Sequence, residues 1–388
     1  MKPRVCFLGS VCYSRPLDQT SEKKFRLLSA LGQLFVVGFN QHLRPCRFHE
    51  RASFYLMPSI PLPVLRYVEM FTLAPCLTMW LIFRHNIQIL VAQSPYEGFA
   101  AALAKTVANR FGRKIVLVVE SHGDFEASVF LQRRILFPKI YRFLMHHVAL
   151  FTLKHADILR AVSHSTRIQL EQFAPHKPVF QFHTWTDIDV FSSYQRNEHE
   201  LVSEDILYAG VLIPRKGVHH LINAFEKIAQ EFPQSRLVLV GAAENKTYAT
   251  ALKKQSQDIG LENRVDFLGQ VSQVELAARM RRSRIFVLPT YSEGLPRVLF
   301  EAMAVGIPVI ASAVSGVPEI VQDCRGGFLI GPGDEAALSD RLRWLLQHPD
   351  ATREMGYQAQ RITAKLFSSA VYVGGYRQIF EAACGGTI

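Results

Sequence analysis

The sequence is poor in cysteine, and its few cysteines follow no metal-binding pattern. Six cysteines are scattered over 388 residues, and none of them forms a Cys-x-x-Cys pair. Zinc sites and disulfide frameworks normally need closely or regularly spaced cysteines. The sequence therefore indicates neither kind of site, and a reducing compartment is the simpler expectation.

The chain also begins without the features of a secretory signal. Its first apolar run is too short for a signal peptide and is typical of a first β-strand. Internal repeats and low-complexity tracts are missing as well. With 49% hydrophobic and 20% charged residues, the composition is that of a globular protein, and the length suits two domains of ordinary size.

Acidic residues are scarce in the first half of the chain. Residues 1–200 hold 24 Lys and Arg against 14 Asp and Glu, whereas residues 201–388 hold 20 against 19. An excess of positive charge favours an anionic partner or surface. No nucleic-acid-binding motif is recognisable. We therefore expect no nucleic acid and favour an anionic membrane surface or an anionic acceptor.

Two segments of this basic half are rich in apolar residues. Residues 64–83 are about as long as a membrane span, but Arg66, Glu69 and Pro75 argue against simple insertion. Residues 130–153 mix basic with aromatic side chains, as interfacial helices do. The alternative for each segment is a helix that packs on the core of its domain. Taken together, the two segments lead us to expect peripheral membrane contact rather than a transmembrane span.

Apolar runs and amphipathic stretches alternate along the whole chain, which predicts an α/β protein with parallel sheets. We predict a first α/β domain at 1–190 and a polar linker at 191–204. A second α/β domain at 205–366 and a final helix at 367–388 follow.

Two local predictions concern the first domain. Ser21 is the predicted N-cap of the first helix, because its hydroxyl can accept a hydrogen bond from an unpaired N–H group. Residues 40–63 contain four prolines and are predicted to form a long irregular connection.

The stretch at 285–319 has the pattern of strand, loop, helix and strand, and it carries two carboxylates. Glu293 lies in the loop, where Gly294 allows close approach of a ligand to the backbone. Glu301 lies about two turns along the predicted helix, 295–305. The start of a helix suits a phosphate, and carboxylates accept hydrogen bonds from hydroxyl pairs. The pattern indicates a nucleoside diphosphate sugar. The alternative is that Glu293 caps the helix and Glu301 is solvated.

The segment SEGLPRVLFEAMAVGIPVIASAVSGVPE resembles the Glu-x7-Glu region of the family 4 glycosyltransferases. The resemblance implies a GT-B fold, in which two Rossmann-like domains face each other across a cleft, and sugar transfer with retained anomeric configuration. It implies that the domain at 1–190 lies on the acceptor side and that the domain at 205–366 binds the nucleotide sugar. The final helix at 367–388 would cross back to the first domain. It further implies that Glu293 binds the hydroxyls of the sugar and that Glu301 binds the ribose. The backbone at Gly294, Leu295 and Pro296 would stabilise the departing diphosphate.

The segment YAGVLIPRKGVHHLINAF also resembles the family, which usually has a cation pair here on the donor diphosphate. Lys216 matches one cation, and a lysine on a loop after a parallel strand can reach a pyrophosphate. Val211 stands where the usual arginine would be, and Arg215 is the candidate for the second charge. A solvated turn is the alternative. In NRVDFLGQVSQVELAARM, the backbone near Gly269 and Val271 would hold the nucleotide base.

In the first domain, His122 follows a predicted strand in VLVVESHGDFE. Open α/β sheets bind ligands at the carboxyl ends of their strands. The family often has a histidine at this point, near the donor phosphate and the transferred sugar, although an isolated histidine is usually structural. Together with Glu293 and Lys216, His122 is predicted to act in catalysis.

The resemblance implies a metal-independent hexosyltransferase with no cofactor, which takes a UDP- or GDP-linked sugar as co-substrate. The Asp187-Ile188-Asp189 sequence spells the DxD signature of metal-dependent transferases but falls near the predicted linker. We expect a glycan or lipid-linked acceptor in cell-envelope glycan synthesis, in the cytoplasm or at the inner face of the membrane. The alternatives are a nucleotide-sugar epimerase of the same fold and an inactive membrane-surface binding protein.

Overall fold

The computed structural model describes residues 2–59, 63–123, 125, 138–193, 203–293 and 296–385. The chain divides into two compact units. Unit 1 consists of Met1–Trp185 with Ser369–Ile388, and unit 2 consists of Thr186–Ser368. The predicted linker at 191–204 lies largely outside the described residues.

Unit 1 is an eight-stranded sheet with helices on both faces. Its strands are β1 (Arg4–Tyr13), β2 (Gln33–Asn40), β3 (Cys46–Glu50), β4 (Ala52–Met57), β5 (Ile89–Ala92), β6 (Val116–Ser121), β7 (Ile158–Ala161) and β8 (Val179–Gln181). Its described helices are α1 (Gln19–Ser29), α2 (Pro63–His85), α3 (Gly98–Arg110), α4 (Pro138–His155), α5 (His164–Phe173) and the last helix of the chain, α14 (Ser369–Ala383). The strand order is β3-β4-β2-β1-β5-β6-β7-β8, and only β3 pairs antiparallel.

The inner strands of unit 1 are buried on both faces because helices cover both. In β1, Cys6 and Leu8 pack with α2, α3 and α4 on one face. Val5 and Phe7 point to the other face and pack with α1 and α14. Such near-continuous apolar strands are typical of parallel sheets. Within the described part of the chain, no helix combines the length and apolarity needed to cross a bilayer.

Two local predictions for unit 1 are wrong. Residues 40–63 are not irregular throughout, because β3 and β4 form an antiparallel hairpin there. Its prolines lie outside the two strands, so they do not interrupt the hydrogen bonds of the ladder. The N-cap of α1 is Asp18 rather than Ser21, and the Asp18 carboxylate accepts a hydrogen bond from the Ser21 N–H at 3.0 Å.

A buried charge cluster lies inside unit 1. Arg160 of β7 donates to Glu120 of β6 at 2.9 Å, and both side chains are almost fully buried. Tyr376 of α14 donates its hydroxyl to the same carboxylate. Burial alone would raise the pKa of the Glu120 carboxyl, but the Arg160 guanidinium and the hydrogen bonds from His122 and Tyr376 hold that pKa well below its ordinary value. The cluster ties α14 to the centre of the sheet.

Unit 2 is a six-stranded parallel sheet. Its strands are β9 (Ile206–Ala209), β10 (Leu237–Val240), β11 (Val265–Gly269), β12 (Ile285–Leu288), β13 (Val309–Ser312) and β14 (Gly327–Ile330). Its helices are α6 (Asp189–Ser192), α7 (Val218–Ala229), α8 (Lys246–Asp258), α9 (Gln273–Arg282), α10 (Arg297–Val305), α11 (Val317–Val321), α12 (Glu335–Gln347) and α13 (Pro349–Leu366). The strand order is β11-β10-β9-β12-β13-β14.

Local sequence explains most elements of unit 2. Strands β9, β10, β12 and β13 are four-residue runs that are buried at every position. The pattern of α7 buries residues at the i, i+3, i+4 and i+7 spacing of a helix that covers a sheet. These strands agree with the sequence prediction. The 18-residue helix α13 was not predicted.

The loops that leave β9 and β12 touch through backbone at Gly217. This glycine has φ +67°, and a Cβ atom there would lie 2.1 Å from the carbonyl oxygen of Pro289. A side chain is therefore excluded by conformation and by space. The contact brings the 3₁₀ turn Pro214–Lys216 next to the loop that begins at Pro289.

We predict that Gly217→Ala destabilises unit 2 far more than Gly260→Ala. Gly260 has a similar φ of +72° but no atom within 4 Å of its added Cβ, so its substitution measures the conformational cost alone, about 1–2 kcal/mol. At Gly217 the backbone of the neighbouring loop must also move, and we expect at least about 2 kcal/mol more. Urea unfolding measures both losses, and equal losses would contradict the close approach.

We also predict that Glu120→Gln destabilises unit 1 by about 3 kcal/mol at neutral pH, because it leaves Arg160 buried without its counter-charge. The folded-state pKa of Glu120 is depressed. Its contribution is therefore complete above the unfolded carboxyl pKa of about 4.3 and is lost as the pH falls below it.

Urea unfolding between pH 7 and pH 3 tests this pH dependence. Because wild type loses the contribution of Glu120 in acid, the gap between wild type and variant should narrow there. Glu171→Gln is the matched control, since Glu171 pairs with Arg167 on the surface and should cost less than about 1 kcal/mol. A gap that is independent of pH is the outcome that contradicts the prediction.

Candidate functional site

The carboxyl ends of the central strands of unit 2 form one continuous polar edge. Beyond β9, the Gly210 N–H donates to the Val240 carbonyl at 2.9 Å. Beyond β10, the Gly241 N–H donates to the Gly269 carbonyl at 2.8 Å. These hydrogen bonds fix the loops that follow β9, β10 and β11 side by side. Parallel α/β sheets bind ligands at this edge.

Lys216 and Glu293 form an ion pair at this edge. The Lys216 ammonium group donates to the Glu293 carboxylate, although 77 residues separate them in the sequence. The two side chains are only 12% and 11% exposed. The pairing follows from the neighbouring positions of β9 and β12 in the sheet, because Lys216 follows the first strand and Glu293 the second.

Arg215 reinforces the same contact between the two loops. Its guanidinium donates to the Ser292 carbonyl, and its own carbonyl accepts from the Tyr291 N–H at 2.9 Å. Thr290 adds a hydroxyl hydrogen bond to the Arg215 carbonyl at 3.2 Å. In this structure Arg215 therefore holds the loop that carries Glu293.

Glu301 lies in α10 and is buried, with 7% exposure. Burial raises the pKa of its carboxyl group, and Arg297 partly opposes that shift. Between described residues no hydrogen bond or ion pair reaches the Glu301 carboxylate. The alternative that Glu301 is a solvated residue is therefore wrong.

The start of α10 differs from the sequence prediction. The helix begins at Arg297, and its N-cap is Pro296, which makes no side-chain capping hydrogen bond. The alternative that Glu293 caps this helix is therefore wrong, because its carboxylate pairs with Lys216. Gly294 and Leu295, both predicted to contact a donor, lie outside the described residues.

The predicted base-binding residues lie at the loop after β11. Gly269 ends that strand with φ +70°, and nothing lies within 4 Å of a Cβ built on it. Val271 follows in the loop and is half-buried. The hydrogen bond between Gly241 and Gly269 joins this loop to the one after β10. Both predicted residues thus lie on the polar edge of unit 2.

In unit 1, His122 follows β6 at the carboxyl edge of the sheet and is 38% exposed at its side chain. Its Nε2 atom lies 2.9 Å from a Glu120 carboxylate oxygen, and its Nδ1 atom lies 3.1 Å from the Thr184 hydroxyl. Because the pKa of Glu120 is depressed, its ionised carboxylate accepts the Nε2 proton. His122 is thereby fixed in one ring orientation.

A histidine pair close to Lys216, His219 and His220, is not among the residues predicted from the sequence to form the site. His220 contacts the Tyr291 hydroxyl and lies 2.6 Å from Glu335. His219 contacts the Tyr248 hydroxyl at 2.8 Å, and burial lowers the pKa of His219. The signal in the sequence is the pair of adjacent histidines that follows Lys216-Gly217-Val218. These contacts anchor Tyr291 in the loop that carries Glu293.

Among the described residues, no three His, Cys, Asp or Glu side chains are grouped closely enough to hold a metal ion.

Residues 192–362 match the family described as "Glycosyl transferases group 1". The chain is 28% identical over 307 residues to N-acetyl-alpha-D-glucosaminyl L-malate synthase of Bacillus anthracis, a match that covers 76% of this chain and 75% of the relative. It is 36% identical over 161 residues to D-inositol 3-phosphate glycosyltransferase of Streptomyces coelicolor, over 40% of this chain and 35% of the relative.

Solved structures share the fold over nearly the whole chain. Sucrose-phosphate synthase from Thermosynechococcus elongatus superimposes with a TM-score of 0.74 at 20% identity, covering 98% of this chain and 100% of the other. HepE of Anabaena in complex with UDP gives 0.72 at 20% identity, covering 99% and 100%. These similarities place the chain in the GT-B fold. The family match lies in residues 192–362, which contain most of unit 2, and the curated relatives quoted above are a glycosyltransferase and a synthase to which this chain is similar.

Proposed function

We propose that this protein transfers a hexose from a UDP- or GDP-linked donor to an acceptor hydroxyl and retains the anomeric configuration. The observation that carries the proposal is the buried pair of Lys216 and Glu293 at the carboxyl edge of unit 2. The resemblance of the sequence to the family 4 glycosyltransferases supports a nucleotide-sugar donor and a retained anomeric configuration. No metal or cofactor is part of the proposed reaction.

Lys216 and Glu293 neutralise each other in the donor-free protein. A donor diphosphate carries more negative charge than one carboxylate, so it competes for the Lys216 ammonium group. Glu293 is then released to accept hydrogen bonds from hydroxyls of the sugar. The ion pair thus keeps both groups in place for the donor.

Glu301 would accept hydrogen bonds from the two ribose hydroxyls of the donor. A buried carboxylate without a protein partner is costly, and a hydroxyl pair supplies the missing hydrogen bonds. The raised pKa of the Glu301 carboxyl indicates how donor affinity should depend on pH. Donor affinity should fall on the acid side, because a protonated carboxyl group cannot accept from both hydroxyls.

In the transfer step the acceptor oxygen forms a bond to the anomeric carbon while the bond from that carbon to the diphosphate oxygen breaks. The acceptor proton passes to the departing phosphate. Negative charge grows on the diphosphate, where Lys216 stabilises it. The backbone at Gly294–Pro296 and the partly positive start of α10 are proposed to add to this stabilisation. Arg215 holds the loop, and the backbone near Gly269 and Val271 holds the base.

His122 is proposed to orient the transferred sugar. Glu120 and Thr184 contact the two nitrogens of its imidazole ring. The ring therefore has a fixed orientation toward a bound sugar. The acceptor is proposed to be a glycan or lipid-linked hydroxyl in cell-envelope glycan synthesis. We place the reaction in the cytoplasm, at or near the inner face of the membrane.

Lys216→Ala and Glu293→Gln should each lower the transfer rate by about a hundredfold or more, as expected when a charge-stabilising contact is removed. Radiolabelled sugar transfer from UDP- and GDP-linked donors measures the rates. Lys254→Ala and Glu275→Gln are controls, since both side chains are exposed on helices of the same unit. Near-normal rates in both site variants would falsify the site assignment. Donor turnover without any acceptor would indicate an isomerase instead.

Glu301→Gln should mainly weaken donor binding. A thermal-shift titration with UDP- and GDP-sugars measures this, because a ligand that binds only the folded state raises the unfolding temperature. We expect the wild-type shift to shrink as the pH falls toward 5, whereas the shift of the Gln variant should be small and independent of pH. An unchanged donor affinity in Glu301→Gln counts against the ribose role.

A further inference from the structure

The outer side of the α2, α3 and α4 layer is unusually apolar. Of the seventeen large hydrophobic side chains exposed by the described residues, ten belong to these helices or to the C-cap of α3. They include Trp80 and Phe83 on α2, Phe111 at the end of α3, and Phe143 and Leu144 on α4. Phe111 and Phe143 are 70% and 63% exposed. We call this surface the α2–α4 outer face.

The three helices form one continuous surface. Their inner sides pack into one core cluster on the same face of the sheet. Aromatic contacts also join them between helices: Phe71 of α2 lies 5.4 Å from Phe99 of α3, which lies 5.3 Å from Phe151 of α4. Near the carboxyl ends of the helices, Phe83 and Phe111 have ring centroids 6.0 Å apart. The exposed apolar groups therefore lie on three helices that pack side by side. Exposed apolar groups that are concentrated in this way are typical of interaction surfaces, whereas scattered ones are not.

The charge around this patch has one sign. Residues 63–114 and 138–155 contain nine Lys and Arg but only two acidic residues, Glu69 and Glu97. Glu69 is buried, and Glu97 accepts a hydrogen bond from the Ser10 N–H at 2.8 Å. The exposed charges next to the apolar groups are therefore basic, including Lys139 and Arg142 on α4.

We propose that the α2–α4 outer face docks on an anionic lipid bilayer, with its helices lying in the interface. Apolar and aromatic side chains enter the boundary between headgroups and acyl chains, and the basic side chains contact anionic headgroups. On α4, Ile140, Phe143 and Leu144 have the i, i+3, i+4 spacing of a single helical face. The arrangement suits a helix that lies on a membrane.

Charge argues against a second copy of the chain as the occupant. Two copies of this face would bring like basic charges together, including those of Lys139 and Arg142. An anionic bilayer complements the charge along the whole face, and it also accepts the apolar side chains between the basic ones.

Docking also has a consequence for the acceptor, and this step rests on the proposed transferase function. Helix α4 follows β6 in the chain, so its first turns lie toward the carboxyl edge of the sheet, where His122 lies. A bilayer against Ile140 and Phe143 would therefore lie beside that edge. A lipid-linked acceptor is the class that such a surface would present.

Sedimentation of the full chain with vesicles tests the docking without any transfer assay. We expect binding to vesicles of phosphatidylcholine with about 30% phosphatidylglycerol and at least tenfold weaker binding to phosphatidylcholine alone. Phe143→Ser with Leu144→Ser should reduce partitioning about tenfold or more, in proportion to the apolar area lost. Lys139→Glu with Arg142→Glu should reduce it similarly and remove most of its salt dependence.

Val274→Ser is the matched control, because Val274 is an exposed apolar residue of unit 2 and should leave partitioning unchanged. Circular dichroism and donor-induced thermal shifts verify that each variant is folded and that its unit 2 is intact. Failure to bind anionic vesicles, or equal losses in control and test variants, overturns the proposal. A wild-type dimer that Phe143→Ser with Leu144→Ser makes monomeric would also overturn it, by making the face a contact between copies. Transfer activity without vesicle binding would leave the proposed function standing.

Discussion

The ion pair between Lys216 and Glu293 depends on two loops that leave neighbouring strands of one parallel sheet. Hydrogen bonds between the two loops hold them together. Gly217 permits their close approach, since any side chain there would meet the Pro289 carbonyl. The order of the strands in the sheet therefore decides where both charged groups lie. Helix α10, which carries Glu301, follows the Glu293 loop in the chain.

Two buried glutamates have different surroundings, and the difference distinguishes a structural role from a proposed role in binding. Glu120 has Arg160, Tyr376 and His122 as partners, and the pKa of its carboxyl is depressed. It is ionised, fully paired and part of the core. Glu301 is buried too, but the pKa of its carboxyl is raised because nothing comparable compensates the loss of water. A buried carboxylate without such partners, like that of Glu301, is suited to accept hydrogen bonds from the hydroxyl groups of a ligand.

The two units carry different chemistry. Unit 2 holds the acidic and basic groups proposed to bind the donor, and its residues 186–368 contain 20 Lys and Arg against 22 Asp and Glu, so its net charge is close to zero. Unit 1 holds a rigidly oriented His122 and the apolar, basic α2–α4 outer face. The proposed donor chemistry therefore belongs to unit 2, and the surface proposed to dock on a membrane belongs to unit 1.

The sequence by itself determined the α/β class, the buried strands of unit 2 and the residue types of the candidate site. Short apolar runs and amphipathic helices are local patterns, and local patterns are visible in a single sequence. It missed the β3–β4 hairpin and helix α13, and it placed the first N-cap at Ser21 rather than Asp18. Only the tertiary structure decided that Lys216 meets Glu293, that Arg215 holds Ser292 and that Glu301 is buried. Those facts depend on which strands become neighbours and on how deeply a helix packs, and such contacts between distant residues leave no periodic trace in the chain.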